Sequence, residues 1–135
     1  MRARPRRWWS LVLAAALIAG CGGSPPDLGS VEFQNPETNQ PATWKLIEVE
    51  GIVPGIGRFD PLAFQIDPDG RSMTVYFQGG NPECYALAGV PVVRNDPDPP
   101  DVQVEYGLRL GVMGCDAALY NLATRVRLDP PFQDG

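Results

Sequence analysis

From Trp44 to Leu128, short runs of alternating apolar and polar residues are separated by turn-forming residues. In RSMTVYFQ, Met73, Val75 and Phe77 fall on one face of an extended strand, and the residues between them fall on the other. The motif DPDG joins this run to PLAFQI, and its proline and glycine favour a tight hairpin turn. This pattern predicts an all-β fold, a small antiparallel β-sandwich or barrel-like domain of about six to seven strands. The predicted strands lie in TWKLIEVE, PLAFQI, RSMTVYFQ, YALAGVPVVR, DVQVEYGLRL and LATRVRL.

Two stretches depart from this alternation. Residues 21–41 are rich in Gly, Pro, Ser, Asn and Gln, which predicts a flexible tether in front of a β domain at 42–135. Val31 and Phe33 leave open the alternative that an edge strand begins within the tether. The segment CDAALYNL, at 115–122, has a pattern that suits a helical turn.

The first twenty residues have the layout of a secretion signal. Four arginines precede an apolar run from Trp8 to Ala19, in which only Ser10 is polar. A basic start and an apolar core of this length are typical of a signal peptide that is removed after export. The run is shorter than the roughly twenty apolar residues that a membrane-spanning helix needs. Arg6 and Arg7 form a twin-arginine pair, so the sequence leaves the export route open.

The signal ends in a branched aliphatic residue, two small residues and a cysteine, namely Ile18, Ala19, Gly20 and Cys21. This motif resembles the lipobox of bacterial lipoproteins. The resemblance implies that a diacylglycerol is attached to the Cys21 sulfur and that a peptidase cuts before this residue. Because two acyl chains anchor stably where one is marginal, we expect a protein held on the extracytoplasmic face of the cell membrane. The alternative is an ordinary signal peptide with a chance cysteine near its cleavage site.

Once Cys21 is assigned to the lipid, Cys84 and Cys115 remain as an even pair. In an oxidising compartment, such a pair is expected to form one disulfide. The alternative is two free thiols, one of them catalytic. The chain has no histidine to activate a thiol, which disfavours this alternative.

Removal of residues 1–20 makes the chain strongly acidic. The whole chain has eleven basic and sixteen acidic residues, and four basic and no acidic residues lie in the signal, which leaves a net charge of −9. This charge disfavours nucleic acid and anionic membrane surfaces as partners. Without histidine, the usual residue for soft-metal ligation and for proton transfer near neutral pH is missing. We therefore predict neither a cofactor nor a metal site.

Two groups of aspartates are candidate calcium ligands. The motif at 67–70 resembles the start of a calcium loop, but the glycine and the bidentate glutamate that such a loop requires are missing. Asp96, Asp98 and Asp101 supply hard oxygen ligands of the right kind. A solvated, proline-stiffened loop accounts for these three residues better.

Glu48 and Glu50 lie two residues apart on one predicted strand. Their carboxylates would share a face at a separation near that of a glycosidase pair. This spacing motivates an alternative function, a small carboxylate-dependent hydrolase that acts on envelope glycan. Such pairs are also common on exposed strands that have no catalytic role.

Aromatic residues are numerous for so small a domain. Exposed aromatic side chains on a sheet face stack on sugar rings or anchor protein partners. This makes Trp44, Tyr76, Tyr85 and Tyr106 candidate binding residues. The alternative is a packed core with a few tyrosines at its rim.

A second resemblance covers Met73 to Phe132. Its pattern is a strand, a glycine pair, a cysteine followed by Tyr-x-Leu, two strands, a second cysteine, and a strand ending in Leu-Asp-x-Pro. The pattern is similar to a set of small exported lipoproteins of high-GC Gram-positive bacteria. This family implies a disulfide-stapled β domain, and it carries no established activity from which a site residue would follow.

The anchor, the tether, the acidic surface and the missing catalytic residues together favour one function. We expect a non-catalytic binding or interaction module at the cell envelope, with an envelope protein or glycan as its partner. The carboxylate-dependent hydrolase remains the alternative.

Overall fold

The structure, a computed structural model, describes residues 27–51 and 56–134. The predicted signal peptide and Cys21 lie outside these residues. In the described ranges, no helix is long and apolar enough to cross a membrane. The all-β prediction is confirmed, because the described chain forms strands and connections without a helix. The strands are β1 (Ser30–Gln34), β2 (Pro41–Leu46), β3 (Ile56–Phe59), β4 (Ala63–Ile66), β5 (Ser72–Gly79), β6 (Tyr85–Gly89), β7 (Val92–Asn95), β8 (Asp98–Val102), β9 (Val104–Leu108) and β10 (Tyr120–Arg127).

The strands form a five-stranded sheet, a three-stranded sheet and a separate hairpin. The larger sheet has the order β1-β2-β10-β5-β4, and the smaller sheet has the order β3-β9-β6. β7 and β8 pair with each other. Neighbouring strands are antiparallel except β2 and β10, which run parallel with Leu122 opposite Lys45.

The described strands number ten, so the prediction of six to seven was too low. The run YALAGVPVVR was predicted as one strand and contains both β6 and β7, which are separated at Val90 and Pro91. Proline has no N–H for a ladder hydrogen bond, so it interrupts the pairing at this point. The next run, DVQVEYGLRL, is similarly divided between β8 and β9 at Gln103.

β1 lies within the stretch that was predicted as tether. It pairs with β2 from Ser30 opposite Lys45 to Gln34 opposite Pro41. The edge-strand alternative is therefore confirmed, and the predicted tether does not extend over residues 30–41. This strand has only two apolar residues, and one of them, Phe33, anchors it to the sheet because its ring stacks on Tyr76 of β5.

The predicted hairpin at DPDG is confirmed. β4 and β5 pair antiparallel, from Ala63 opposite Tyr76 to Ile66 opposite Met73. In the turn, Gly70 has a φ of 73°, a left-handed conformation that favours glycine. A Cβ at this position would also lie 2.8 Å from the backbone oxygen of Phe132.

The main core lies between the two sheets, and a smaller cluster covers the other face of the five-stranded sheet. In the smaller cluster, Trp44, Tyr76 and Ala123 are buried, and Phe33 stacks on Tyr76 at a ring-centroid distance of 3.8 Å. Both faces of β5 are therefore buried. The main core contains Met73, Val75, Phe77, Leu87, Val102, Val104, Tyr106, Leu122 and Leu128.

The helical turn predicted within residues 115–122 is wrong. Residues 112–119 have no regular secondary structure, and Tyr120 begins β10. Leu122 lies opposite Phe77 of β5 and is fully buried in the main core. Burial of this residue between the sheets outweighs the local helical pattern.

Candidate functional site

Three of the four aromatic candidates are core residues. Trp44, Tyr76 and Tyr106 are 0%, 4% and 6% exposed. The prediction that they form an open binding face is wrong, because Trp44 and Tyr76 pack in the smaller cluster and Tyr106 packs in the main core between the sheets. The Trp44 indole N–H is also satisfied inside the protein, since it donates to the backbone oxygen of Phe33 at 2.9 Å.

The fourth candidate, Tyr85, is half-buried and stacks on Tyr106 with ring centroids 5.5 Å apart. The Tyr106 hydroxyl donates to the backbone oxygen of Gly80 at 2.7 Å. Burial raises the pKa of this phenol far above its ordinary value, so it remains protonated. A Cβ at Gly79 would lie 2.7 Å from the Tyr106 ring, and one at Gly80 would collide with Tyr85. The glycine pair thus makes room for two structural tyrosines.

A disulfide joins Cys84, at the start of β6, to Cys115. The Cα atoms of the two residues are 5.9 Å apart, so the predicted pairing is confirmed. Cys115 lies in the connection between β9 and β10, residues 109–119, which we call the disulfide loop. The disulfide therefore fixes the middle of the loop to β6.

The disulfide loop holds large apolar side chains in solvent. Leu110, Met113 and Leu119 are 84%, 89% and 71% exposed. Gly111 and Gly114 have φ values of 79° and 78° and allow the backbone to turn between these residues. Single exposed apolar residues are ordinary on protein surfaces, whereas several in one short segment are typical of an interaction site.

Polar contacts fix the first residue of the disulfide loop. The Arg109 guanidinium donates two hydrogen bonds of 2.6 Å to the Glu50 carboxylate and one of 3.1 Å to the backbone oxygen of Pro82. The Arg109 backbone N–H donates to the Cys84 oxygen at 2.8 Å. Hydrogen bonding to Glu50 raises the already high pKa of Arg109, so the guanidinium stays charged. These contacts tie the loop to β6 and to the segment after β2.

Two exposed carboxylates, Glu83 and Asp116, lie beside the disulfide and form what we call the acidic flank. Asp116 accepts a hydrogen bond of 2.9 Å from the Tyr120 hydroxyl, which raises the pKa of that phenol. The charge of Glu83 raises the same pKa further. The acidic flank therefore borders the disulfide loop on the side of β10.

Glu48 and Glu50 do not form a free carboxylate pair. Glu50 is held by the two-point contact with Arg109, and Glu48 lies in an exposed segment beyond β2. The Arg109 guanidinium occupies both oxygens of the Glu50 carboxylate. No catalytic arrangement is built on this pair.

The aspartates considered as calcium ligands are not brought together. Asp96 accepts hydrogen bonds from the Arg94 guanidinium and from the Gln133 backbone N–H, at 2.8 and 2.9 Å. Across residues 27–51 and 56–134, no group of three His, Cys, Asp or Glu side chains is placed to hold a metal ion. Asp96 instead holds the C-terminal segment against β7.

Two shallow cavities lie elsewhere on the surface, and none of the four aromatic candidates lines either of them. One, of about 400 Å³, lies at the β4–β5 turn and is lined by residues 66–70, Phe132 and Asp134. The other, of about 350 Å³, lies where the described chain begins and is lined by Leu28, residues 46–49, Thr124 and Arg125.

The sequence predicted the disulfide and missed the loop that it holds. Leu110, Met113 and Leu119 were assigned to no site, because an apolar residue in a short run is normally a core residue. The sequence feature that could have indicated an exposed loop was the placement of Gly111 and Gly114 among apolar residues near a cysteine.

Comparison with protein-family models, with curated proteins and with solved structures finds no match to this chain.

Proposed function

We propose that this protein is a lipid-anchored extracytoplasmic lipoprotein that acts as a non-catalytic binding module through its disulfide loop. The exposure of Leu110, Met113 and Leu119 on one disulfide-held segment carries the proposal. A large aliphatic side chain gains about 1.5–3 kcal/mol when it is buried. A partner that covers these three side chains would recover a contribution of this kind from each.

The anchor part of the proposal is supported by residues 1–21, with their basic start, apolar core and lipobox-like end. The disulfide supports an oxidising compartment, because such bonds are rare in reducing ones. Gly29 is eight positions after Cys21, a reach of at most about 28 Å when the chain is fully extended. The anchor would thus keep the domain close to the bilayer.

Rigidity supports binding by the loop. The disulfide, the Arg109–Glu50 ion pair and the Tyr120–Asp116 hydrogen bond hold the loop at its middle and near both ends. A loop that is ordered before binding loses less conformational entropy when it meets its partner. The backbone of the loop is therefore held at these points, and its apolar side chains lie between them.

Lipid labelling and mass spectrometry of the native product test the anchor. We expect a mature amino terminus at Cys21 that carries a diacylglycerol, and we expect Cys21→Ser to abolish labelling and leave the precursor uncleaved. An unmodified amino terminus at another residue, or labelling that persists in Cys21→Ser, would refute this part.

Recovery of envelope components on the native protein tests the binding surface. The variant Leu110→Ser/Met113→Ser should lose a specific protein or glycan that the wild type retains. The matched control is Val93→Ser, because Val93 is 69% exposed and lies on β7 outside the loop. Equal recovery by both variants, or no specific ligand on the wild type, would contradict the proposal.

A further inference from the structure

We infer that the disulfide loop docks onto a protein surface with an apolar pocket bordered by lysine and arginine side chains. This inference rests on the proposed function, because it names the class of partner for the same loop. Leu110 and Met113 supply the apolar contact, and the acidic flank supplies the charge that such a border would complement.

Charge is distributed unevenly around the loop. Its one cation, Arg109, is neutralised by Glu50. Glu83 and Asp116 of the acidic flank form no ion pair within the described part of the chain. The apolar side chains are therefore bordered by uncompensated negative charge.

Three of the cations that form no ion pair with described residues lie away from the loop, whereas Lys45 of β2 lies opposite Leu122, nearer the start of β10. Arg125 and Arg127 belong to the later part of β10, and Arg71 lies beside its end, because the Leu128 N–H donates to the Arg71 oxygen at 2.8 Å. The loop instead precedes Tyr120, at the start of β10. The exposed carboxylates of the acidic flank place negative charge beside the loop itself, and such charge steers a cationic surface toward it.

The charge of the acidic flank favours a protein over the bilayer as the occupant. Acidic side chains also disfavour contact with an anionic membrane surface. The loop therefore carries the wrong charge for an anionic lipid surface.

Titration of the native, isotope-labelled full chain with a defined probe tests the inference. The probe is a synthetic hexapeptide of alternating leucine and lysine, and its counterpart carries glutamate instead of lysine. The protein is kept in a nonionic detergent, and empty micelles give the background. Amide shifts should be confined to residues 82–84 and 108–120 and should appear with the lysine peptide alone.

Two charge reversals provide the matched comparison. Glu83→Lys lies in the acidic flank, whereas Asp101→Lys makes the same change in net charge on β8, beside Val93. We expect Glu83→Lys to weaken peptide binding about fivefold and Asp101→Lys to leave it near the wild-type value. Leu110→Ser should weaken binding by about tenfold, because its apolar contact is lost.

Four results would overturn the inference of a cationic partner: equal binding of both peptides, shifts outside the loop and the acidic flank, equal effects of the two reversals, or broadening of loop amides by a spin-labelled lipid. The last result would assign the loop to the membrane. The proposed function fails separately, when Leu110→Ser/Met113→Ser loses no envelope component. If a component is lost in that variant but retained by Glu83→Lys, the proposal that the loop is a binding surface is supported and the inference of a cationic partner is refuted.

Discussion

Arg109 and Glu50, 59 residues apart in the sequence, meet in an ion pair with two hydrogen bonds of 2.6 Å. Their side chains are 23% and 33% exposed, so the pair is partly shielded from water. The pair connects the end of β9 to the segment that follows β2, and it positions the first residue of the disulfide loop. Its role in this fold is structural, and it occupies both oxygens of the Glu50 carboxylate.

Glu50→Gln should lower the free energy of unfolding by about 1–2 kcal/mol, because the partly buried guanidinium loses its charged partner. Glu48→Gln is the matched control and should change stability by less than about 0.5 kcal/mol, because Glu48 is exposed. Urea unfolding of both variants gives the comparison. Equal losses would show that the ion pair does not stabilise the fold.

Removal of the disulfide should destabilise the domain strongly. Cys84 and Cys115 are 31 residues apart, and by the chain-entropy model Cys84→Ser/Cys115→Ser should cost roughly 3.5–4 kcal/mol. The variant and the wild type are compared by urea unfolding without reductant. Thiol titration of the unfolded, unreduced wild type should detect no free sulfhydryl from the pair. Coincident unfolding midpoints would contradict the assigned stabilising role.

Two glycines with similar backbone conformation should respond differently to alanine. Gly70 and Gly111 have φ values of 73° and 79°, so both substitutions introduce backbone strain of about 1 kcal/mol. At Gly70 the new Cβ would also meet the Phe132 backbone oxygen at 2.8 Å, whereas at Gly111 the space is open. Gly70→Ala should therefore cost about 1–3 kcal/mol more than Gly111→Ala in unfolding experiments. Equal costs would show that the carboxy-terminal segment does not pack on the turn.

Stability should fall in acid partly through Asp96. The hydrogen bond from Arg94 lowers the pKa of Asp96 below its ordinary value of 3.8, and the Gln133 N–H lowers it further. A carboxylate with a lowered folded-state pKa contributes stability above its unfolded pKa and loses it as pH falls through the folded pKa. The wild type should thus lose more stability between pH 7 and pH 2 than Asp96→Asn. Arg94→Met should flatten the profile similarly, and parallel curves for all three proteins would contradict the linkage.

The sequence pattern predicted those parts of the fold in which residues that are close in the sequence also pair with each other in the structure. The β4–β5 hairpin followed from DPDG and the alternation on each side, because the turn chemistry and the buried face agree. The pairing of Cys84 with Cys115 followed from compartment and cysteine number. The prediction of a helical turn at 115–122 was wrong because Leu122 pairs with Phe77 of β5, which is distant in the sequence, and is buried in the core.

The candidate site could not be predicted from apolar periodicity. Trp44 and Tyr76 looked accessible because they alternate with polar residues, yet Phe33 from a predicted tether covers them. Leu110 and Met113 looked like core residues because they are apolar. Their exposure depends on whether other side chains have already filled the core, which is a property of the assembled sheets.

Photo-crosslinking in cells tests the central claim most directly, that the disulfide loop is a contact surface. A photoreactive phenylalanine derivative replaces Met113 in one full-length protein and Val93 in another, since both positions are exposed. We predict a discrete polypeptide adduct from position 113 that is absent from position 93. No adduct at 113, or the same adduct at both positions, would contradict the account.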